Sequence, residues 1–237
     1  MDWAQQRVLI IAPHPDDEAI GCGGLISRVT REGGEVFVLW LTIADIRDFS
    51  QEGRSTAQQR RHEMQAAHTF WPLRGSHLAL PGAAYNLRLD AMAQADLIDL
   101  IERGDHPLSL STLAPTVIAF PDPSSYNQDH AAVGAAAITA LRPGPDAHRR
   151  QPGLALMYEE VGDTWTTQPV IAPRNFFVEL TTDDLDRKIA GLRVHASQWR
   201  DEPHTRSETA LRAMAAVRGA QCGSRFAEAY YCARWRT

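Results

Sequence analysis

The chain has little cysteine and no long apolar run. Its 237 residues include three cysteines, Cys22, Cys222 and Cys232, an odd number without the paired spacing of a zinc ribbon or a disulfide framework. No stretch approaches the roughly 18 consecutive apolar residues of a membrane-spanning helix, and the first residues are too polar for a secretory signal. These absences exclude a disulfide-stapled secreted fold and an integral membrane protein. They predict a cytoplasmic protein with free thiols.

The chain also lacks a surplus of positive charge. Its formal net charge is −5, so nucleic acid and anionic membranes would be repelled in the absence of a basic patch. No linker, repeat or low-complexity tract interrupts the sequence, and 237 residues suffice for one α/β domain with a sizeable core. We therefore expect a single domain over residues 1–237 that acts on a small molecule. Whether it forms a homo-oligomer stays open.

Short apolar runs alternate with helical patterns along the whole chain. Such alternation predicts a Rossmann-like α/β fold, a mostly parallel sheet flanked by helices on both faces, because each crossover must lie on a face of the sheet. Two irregular segments, 142–153 and 160–174, are long enough to form loops over an active site. We expect strands near 7–12, 35–42, 76–80, 116–120, 154–158 and 175–180, and helices near 18–31, 55–71, 90–103, 129–141, 182–198 and 206–220.

The most informative segment lies where the first apolar run ends and the first helix begins. It reads Ala12-Pro13-His14-Pro15-Asp16-Asp17-Glu18. In open α/β sheets, ligands bind outside the carboxyl ends of the strands. His14 and Asp17 can therefore converge on a metal ion while Asp16 points at a water. Acids in a first helical turn and a neighbouring proline are also ordinary capping residues, so capping alone would account for this string if it had no further context.

A second histidine follows another apolar run and supplies that context. The segment Asn127-Gln128-Asp129-His130 comes after residues 117–120 and opens an alanine-rich helix, so His130 also lies at the carboxyl end of a strand. Two histidines and one carboxylate form a three-ligand set that leaves a coordination position open, as catalytic zinc sites do. The same donors also suit ferrous iron.

These motifs resemble those of the PIG-L or LmbE family of zinc-dependent N-acetylglucosaminyl deacetylases. Residues 12–18 match the most specific motif of that family, and Asp129-His130 resembles its distal ligand loop. Weaker, supportive likenesses occur at residues 60–63 and 195–198, and the resemblance spans about residues 7–232.

The resemblance implies a role for each residue of the first motif. It makes His14, Asp17 and His130 the ligands of a zinc ion and Asp16 the general base that takes a proton from the attacking water. The reaction it implies is hydrolysis of the acetamide of an N-acetylated amino sugar or glycoconjugate, which releases acetate and a free amine. Glu18 is expected to have a structural role.

The distal loop departs from the family pattern at Asn127, where many relatives carry a histidine. An asparagine can donate a hydrogen bond to an oxyanion, but it cannot deliver a proton. The proton donor to the leaving amine therefore stays open, because either Asp16 returns its proton or another acid supplies one. Asp129 is expected to orient a histidine or a loop amide, although a helix N-cap role is nearly as compatible with its position.

Several alternatives stay open at this point. Arg60 and Glu63, one helical turn apart, form either a solvated pair or, as the resemblance favours, a group in which Arg60 faces the site and binds substrate. An amidase that cleaves a larger amide in a sugar conjugate would use the same metal. A non-catalytic Rossmann-like binding module is a third possibility, but the glycines at 21–24 lie inside a helix and not between strand and helix, as a dinucleotide site requires.

Overall fold

The structure is a computed structural model that describes residues 1–48, 50, 52–144, 151–165 and 173–236. Its strands are β1 (Arg7–Ala12), β2 (Glu35–Thr42), β3 (Ile46–Arg47), β4 (Arg54–Ser55), β5 (Gly75–Leu80), β6 (Val117–Pro121), β7 (Leu154–Tyr158), β8 (Phe176–Leu180) and β9 (Phe226–Trp235). Its α-helices are α1 (Asp17–Glu32), α2 (Ala57–Phe70), α3 (Gln94–Arg103), α4 (Leu110–Leu113), α5 (Gln128–Ala140), α6 (Thr182–Val194) and α7 (Glu208–Cys222).

Seven strands form one central sheet in the order β5-β2-β1-β6-β7-β9-β8, and β3 and β4 pair as a separate hairpin. Strand β1 pairs in parallel with β2 and β6, and the neighbours β2–β5 and β6–β7 are also parallel. Strand β9 pairs antiparallel with both β7 and β8, so it alone of the seven runs against the others. The mostly parallel α/β sheet predicted from the sequence is confirmed.

The strand order reverses at β1. From β1 the chain moves outward through β2 to β5, then returns to place β6 on the other side of β1. Such a reversal opens a crevice at the carboxyl ends of the two central strands, where α/β proteins bind their ligands. His14 follows β1 and His130 follows β6, so both lie at this crevice.

Each face of the sheet has its own core because successive side chains of a strand point to opposite sides. Val8 and Ile10 of β1 pack with α1, α2, α6 and α7, and Leu9 and Ile11 pack with α3, α4 and α5. All four side chains are fully buried. Burial of each stabilises the fold by roughly 1.5–3 kcal/mol. No helix within the described ranges is both long and apolar enough to cross a membrane.

Helix α1 packs closely because glycines line it. A Cβ atom at Gly21 would lie 2.4 Å from the ring of Tyr158, and one at Gly24 would lie 2.5 Å from Leu180. The Gly24 N–H donates to Glu228 Oε1 (2.7 Å), and the Ile20 carbonyl accepts from the Lys188 amine (2.6 Å). In a regular α-helix the Ile20 carbonyl would accept a hydrogen bond from the Gly24 N–H. Because glycine has no side chain, the buried pair Lys188 and Glu228 can hydrogen-bond to the backbone of α1.

The sequence predictions were wrong at two places near the C-terminal end. Strand β9 was missed, because the buried Glu228 interrupts its apolar residues between Ala227 and Ala229. Helix α6 ends at Val194 and not near 198, because residues 195–198 turn away and bond with other elements. The short elements β3, β4 and α4 were also not predicted, while the other helices and strands agree to within a few residues.

The described residues next to β7 in the two irregular segments lie at opposite ends of that strand. Residues 142–144 and 151–153 precede β7 and lie at its amino end, away from His14 and His130, so the prediction that this segment covers the site is wrong for them. The first residues of 160–174 follow β7 and do lie beside the site. Residues 145–150 and 166–172 of these segments are outside the described ranges.

Candidate active site

Three buried side chains converge where β1 and β6 end. One potential ligand atom from each of His14, Asp17 and His130 lies within 4.8 Å of the others, and within the described ranges this is the group of three that could hold a metal ion. Asp17 Oδ2 is 3.4 Å from His14 Nδ1 and 3.2 Å from His130 Nε2. The three ligands predicted from the sequence are therefore brought together by the fold.

The turn between β1 and α1 aims these groups through local bonds. Asp17 Oδ2 accepts a hydrogen bond from the His14 backbone N–H (2.7 Å). Asp17 is also the first residue of α1, where the helix dipole stabilises negative charge. Asp16 adopts φ = +120°, a conformation that non-glycine residues rarely occupy. Such strain costs about 1–3 kcal/mol and clusters at functional sites.

Each histidine has a carboxylate near the nitrogen that faces away from Asp17. His14 Nε2 lies 2.8 Å from Asp129 Oδ2, and His130 Nδ1 lies 3.8 Å from Glu160 Oε1. Only the contact of His14 with Asp129 is short enough to be a hydrogen bond, and a carboxylate bonded in this way fixes the orientation and tautomer of a metal-binding histidine. His14 Nδ1 and His130 Nε2 are directed toward Asp17.

The charges around the histidines favour a cation. Burial lowers the pKa of His14, but hydrogen bonds with Asp129 and Asp17 outweigh it and raise the pKa to about 9. Burial raises the pKa of Asp17, but the charge of His130 and the hydrogen bonds of both histidines hold it well below its usual range. The groups thus favour positive charge at their centre. A divalent metal bound by two imidazoles and a carboxylate supplies that charge, so the donor set fits zinc.

Glu160 adds a further acidic group beside this centre. Burial, followed by the negative charges of Asp17 and Asp163, raises its pKa well above the ordinary value. Among the described residues, none donates a hydrogen bond to its buried Oε1 atom. Glu160 was not predicted from the sequence, although it follows β7 just as His130 follows β6.

Asp16 lies next to the three ligands, between two arginines. Its Oδ1 is 3.4 Å from an Arg60 Nη2 nitrogen and its Oδ2 is 3.0 Å from Arg206 Nη1. Burial raises the pKa of Asp16; the Arg206 charge offsets only part of this effect, and the pKa stays above its ordinary value. A carboxylate with a raised pKa is suited to accept a proton. Arg206 lies in the irregular segment between α6 and α7, where no local sequence pattern marks it.

Arg60 reaches the site from α2. Its Nη2 donates to the Pro15 carbonyl (2.8 Å), and only 2% of the residue is exposed. Glu63, one turn later, instead accepts hydrogen bonds from Ser197. The interpretation of Arg60 and Glu63 as a solvated pair is therefore wrong.

The distal loop is held by Asn127 and Asp129 in different ways. Asn127 is the N-cap of α5, since its Oδ1 accepts from the Asp129 backbone N–H (3.0 Å). Asp129 Oδ1 accepts from the Leu89 N–H (2.8 Å), while its other oxygen faces His14. Asp129 thus contacts both a histidine and a loop amide, and the cap position belongs to Asn127.

Comparison with known proteins agrees with this geometry. Residues 9–141, more than half of the chain, match the PIG-L family, described as GlcNAc-PI de-N-acetylase. The chain is 28% identical over 233 residues to the diacetylchitobiose deacetylase of Thermococcus kodakarensis, an alignment that covers 94% of this chain and 81% of the relative.

Two solved structures share the fold. One is the N,N'-diacetylchitobiose deacetylase of Pyrococcus horikoshii with a bound inhibitor (TM-score 0.69, 22% identity, 96% of this chain and 83% of that one). The other is the 4-carboxy-2-hydroxymuconate hydratase GalB of Pseudomonas putida KT2440 (TM-score 0.68, 18% identity, 98% of both chains). The fold alone therefore does not fix the reaction. Because the family match covers more than half of the chain and includes both ligand motifs, the protein belongs to the PIG-L deacetylase family.

Proposed function

We propose that the protein is a metal-dependent hydrolase that removes the N-acetyl group from an N-acetylated amino sugar or glycoconjugate and releases acetate and a free amine. The observation that carries the proposal is the position of the Asp16 carboxylate beside the three converging ligands at the β1–β6 crevice. The similarity to the diacetylchitobiose deacetylase of T. kodakarensis supports an amino-sugar substrate.

We propose zinc as the ion, held by His14 Nδ1, His130 Nε2 and the Asp17 carboxylate; ferrous iron suits the same donors. When bound, such a metal supplies a Lewis acid that polarises a carbonyl and makes a water more acidic. Three protein ligands leave room for a further ligand, as in catalytic zinc sites.

Asp16 is the general base in this proposal. It takes a proton from the attacking water, and its direction is fixed because Arg60 and Arg206 face its two carboxylate oxygens. When the C–N bond breaks, the amine nitrogen needs a proton. We assign its delivery to Asp16, which then holds the proton taken from the water, because Asn127 has no acidic proton to give.

Two further residues have assigned roles. Asn127 stabilises the oxyanion through its Nδ2 hydrogens, since its Oδ1 is engaged with the Asp129 amide. The resemblance predicts that Arg60 binds substrate, but its burial leaves little surface for a substrate to contact. We assign Arg60 instead to holding the Asp16 carboxylate.

The test is a screen of zinc-loaded protein against N-acetylglucosamine derivatives, N,N'-diacetylchitobiose and sugar conjugates with larger N-acyl groups. Acetate and free amine are measured together, and equal amounts of both are expected. Release of amine with a larger acid would indicate the alternative amidase. Failure of the purified protein to retain zinc, together with no turnover of any of these substrates, would indicate a binding module.

A further inference from the structure

A short segment after α6, His195-Ala196-Ser197-Gln198, has three buried polar side chains that reach three different parts of the molecule. Their exposed fractions are 0% for His195, 7% for Ser197 and 3% for Gln198. Burial of a polar side chain is costly unless it is hydrogen-bonded. The partners of this segment, called the 195–198 segment below, therefore indicate what it holds in place.

His195 acts on the backbone of Asp16 through Glu18. His195 Nε2 lies 2.6 Å from Glu18 Oε1. The other oxygen of Glu18 accepts from the backbone N–H of Asp16 (3.1 Å) and from Trp40 Nε1 (2.8 Å). The N–H so held belongs to the residue with φ = +120°. This chain of bonds supports the strained turn that presents Asp16.

Ser197 acts on the helix that carries Arg60. Its backbone N–H and its hydroxyl donate to the two oxygens of Glu63 at 2.8 and 2.7 Å. Glu63 lies one turn after Arg60 on α2, and Arg60 faces Asp16 Oδ1. The two bonds fix this turn of α2 relative to the 195–198 segment.

Gln198 acts on the second arginine. Its Oε1 accepts from Arg206 Nη1 (3.0 Å), the same nitrogen that lies 3.0 Å from Asp16 Oδ2. Its Nε2 donates to the hydroxyls of Ser55 (3.2 Å) and Ser197 (3.1 Å). Gln198 is therefore anchored on one side and directs Arg206 on the other.

We propose that the 195–198 segment is the positioning element of Asp16. It acts on the backbone of Asp16 through Glu18 and on the carboxylate through Arg60 and Arg206. The inference rests on the proposed function, in which Asp16 is the general base. The bonds described for the segment go to Glu18, Glu63, Arg206 and Ser55, and none of these is a metal ligand. The segment should therefore govern turnover and leave metal binding unchanged.

The test compares two variants of the segment with matched controls on the exposed face of α2. The variants are His195→Leu and Gln198→Leu, and the controls are His62→Leu and Gln65→Leu, which are exposed. We expect both segment variants to lower kcat by about 10- to 100-fold, the range for residues that orient a reacting group. KM and the zinc Kd should change by less than about twofold. The controls should match the wild type.

His195→Gln serves as the conservative variant. Its amide N–H can donate to Glu18, so it should recover part of the kcat that His195→Leu loses. A role in packing alone predicts no such recovery, and it predicts a lower Tm with unchanged kcat. If His195→Leu does not fold, Gln198→Leu decides the question. Wild-type kcat in folded Gln198→Leu would overturn the proposal, as would a loss of zinc affinity in parallel with kcat.

A crystal structure of zinc-loaded Gln198→Leu separates this inference from the proposed function. If the wild type releases no acetate, the proposed function fails, and positioning is judged from the coordinates alone. Displacement of the Asp16 carboxylate or of Arg206 supports the inference. Unchanged positions of both groups overturn it.

Discussion

Asp129 contacts the far nitrogen of His14, with 2.8 Å between Oδ2 and Nε2, and thereby sets which nitrogen of the ring faces Asp17. The same carboxylate accepts from the Leu89 N–H, so one side chain joins the loops that follow β1, β5 and β6. We predict that Asp129→Asn weakens zinc binding by about 10- to 100-fold, the usual cost of losing such a supporting group. Competition with a chelator measures the affinity. Asp90→Asn, an exposed neighbour, is the control, and an unchanged zinc Kd in Asp129→Asn would refute this role.

The ligand set predicts one metal ion per chain. His14→Ala, Asp17→Ala and His130→Ala should each lose the ion, because each removes one of three converging donors. Elemental analysis of purified protein gives the stoichiometry, and His62→Ala is the exposed control. Full occupancy in His14→Ala or Asp17→Ala would show that the ion binds elsewhere.

Asp16→Asn should keep the metal and lose turnover by about 10²- to 10⁴-fold, because the amide preserves the shape and removes the base. Metal content and kcat are measured on the same preparation. Normal turnover with normal metal content would assign the base to another residue. Loss of the metal would instead exchange the roles of Asp16 and Asp17.

Asn127 caps α5 through its Oδ1 and is proposed to donate to the oxyanion through its Nδ2. Two variants separate these functions. Asn127→Asp keeps the oxygen that accepts from the Asp129 N–H, so its stability should stay near that of the wild type, while kcat falls by about 10²- to 10³-fold. Asn127→Ala should lose a similar factor in kcat and also about 1 kcal/mol of stability.

Asn127→His tests the same position by pH. It should add a group that titrates near about pH 6 to 7 if its pKa is ordinary, and so change the shape of the pH–rate profile. Wild-type kcat in both Asn127→Ala and Asn127→Asp would identify the residue as a cap only.

Asp184 should give the fold a defined sensitivity to acid. Burial raises its pKa, but hydrogen bonds from Arg31, Thr181 and Ser27 outweigh burial and lower the pKa below its ordinary value of 3.8. Because the folded-state pKa is the lower one, the stabilisation is present above pH 3.8 and is lost as the pH falls through the folded-state value.

The matched variants are Asp184→Asn and the exposed Asp183→Asn, measured by denaturant unfolding from neutral pH down to pH 3. Asp184→Asn should cost about 1–3 kcal/mol at neutral pH, because a buried acceptor loses part of its hydrogen bonding. It should also flatten the loss of stability below pH 3.8. Asp183→Asn should stay within about 0.5 kcal/mol of the wild type. Equal slopes in both variants would contradict the role assigned to Asp184.

The metal ligands were predictable because His14 and His130 each follow an apolar run, and the carboxyl ends of parallel strands meet at one edge. Arg206 was not, because it reaches Asp16 from an irregular loop far along the chain, and no periodicity connects them. Strand β9 was also not predictable from a local sequence pattern. Its Glu228 occupies a core position that is compatible with a charge because Lys188, the backbone of α1 and the Tyr230 hydroxyl satisfy it.

The bonds of Glu228 also join two segments that are synthesised at different times. Helix α1 and the metal-binding motif are synthesised before Glu228, which lies in β9 and accepts from the Gly24 and Leu25 N–H groups. Until β9 emerges, β7 is an open sheet edge without the strand that joins it to β8. A nascent or shortened chain that ends before β9 thus carries His14, Asp17 and His130 but lacks the carboxylate that accepts from two N–H groups of α1.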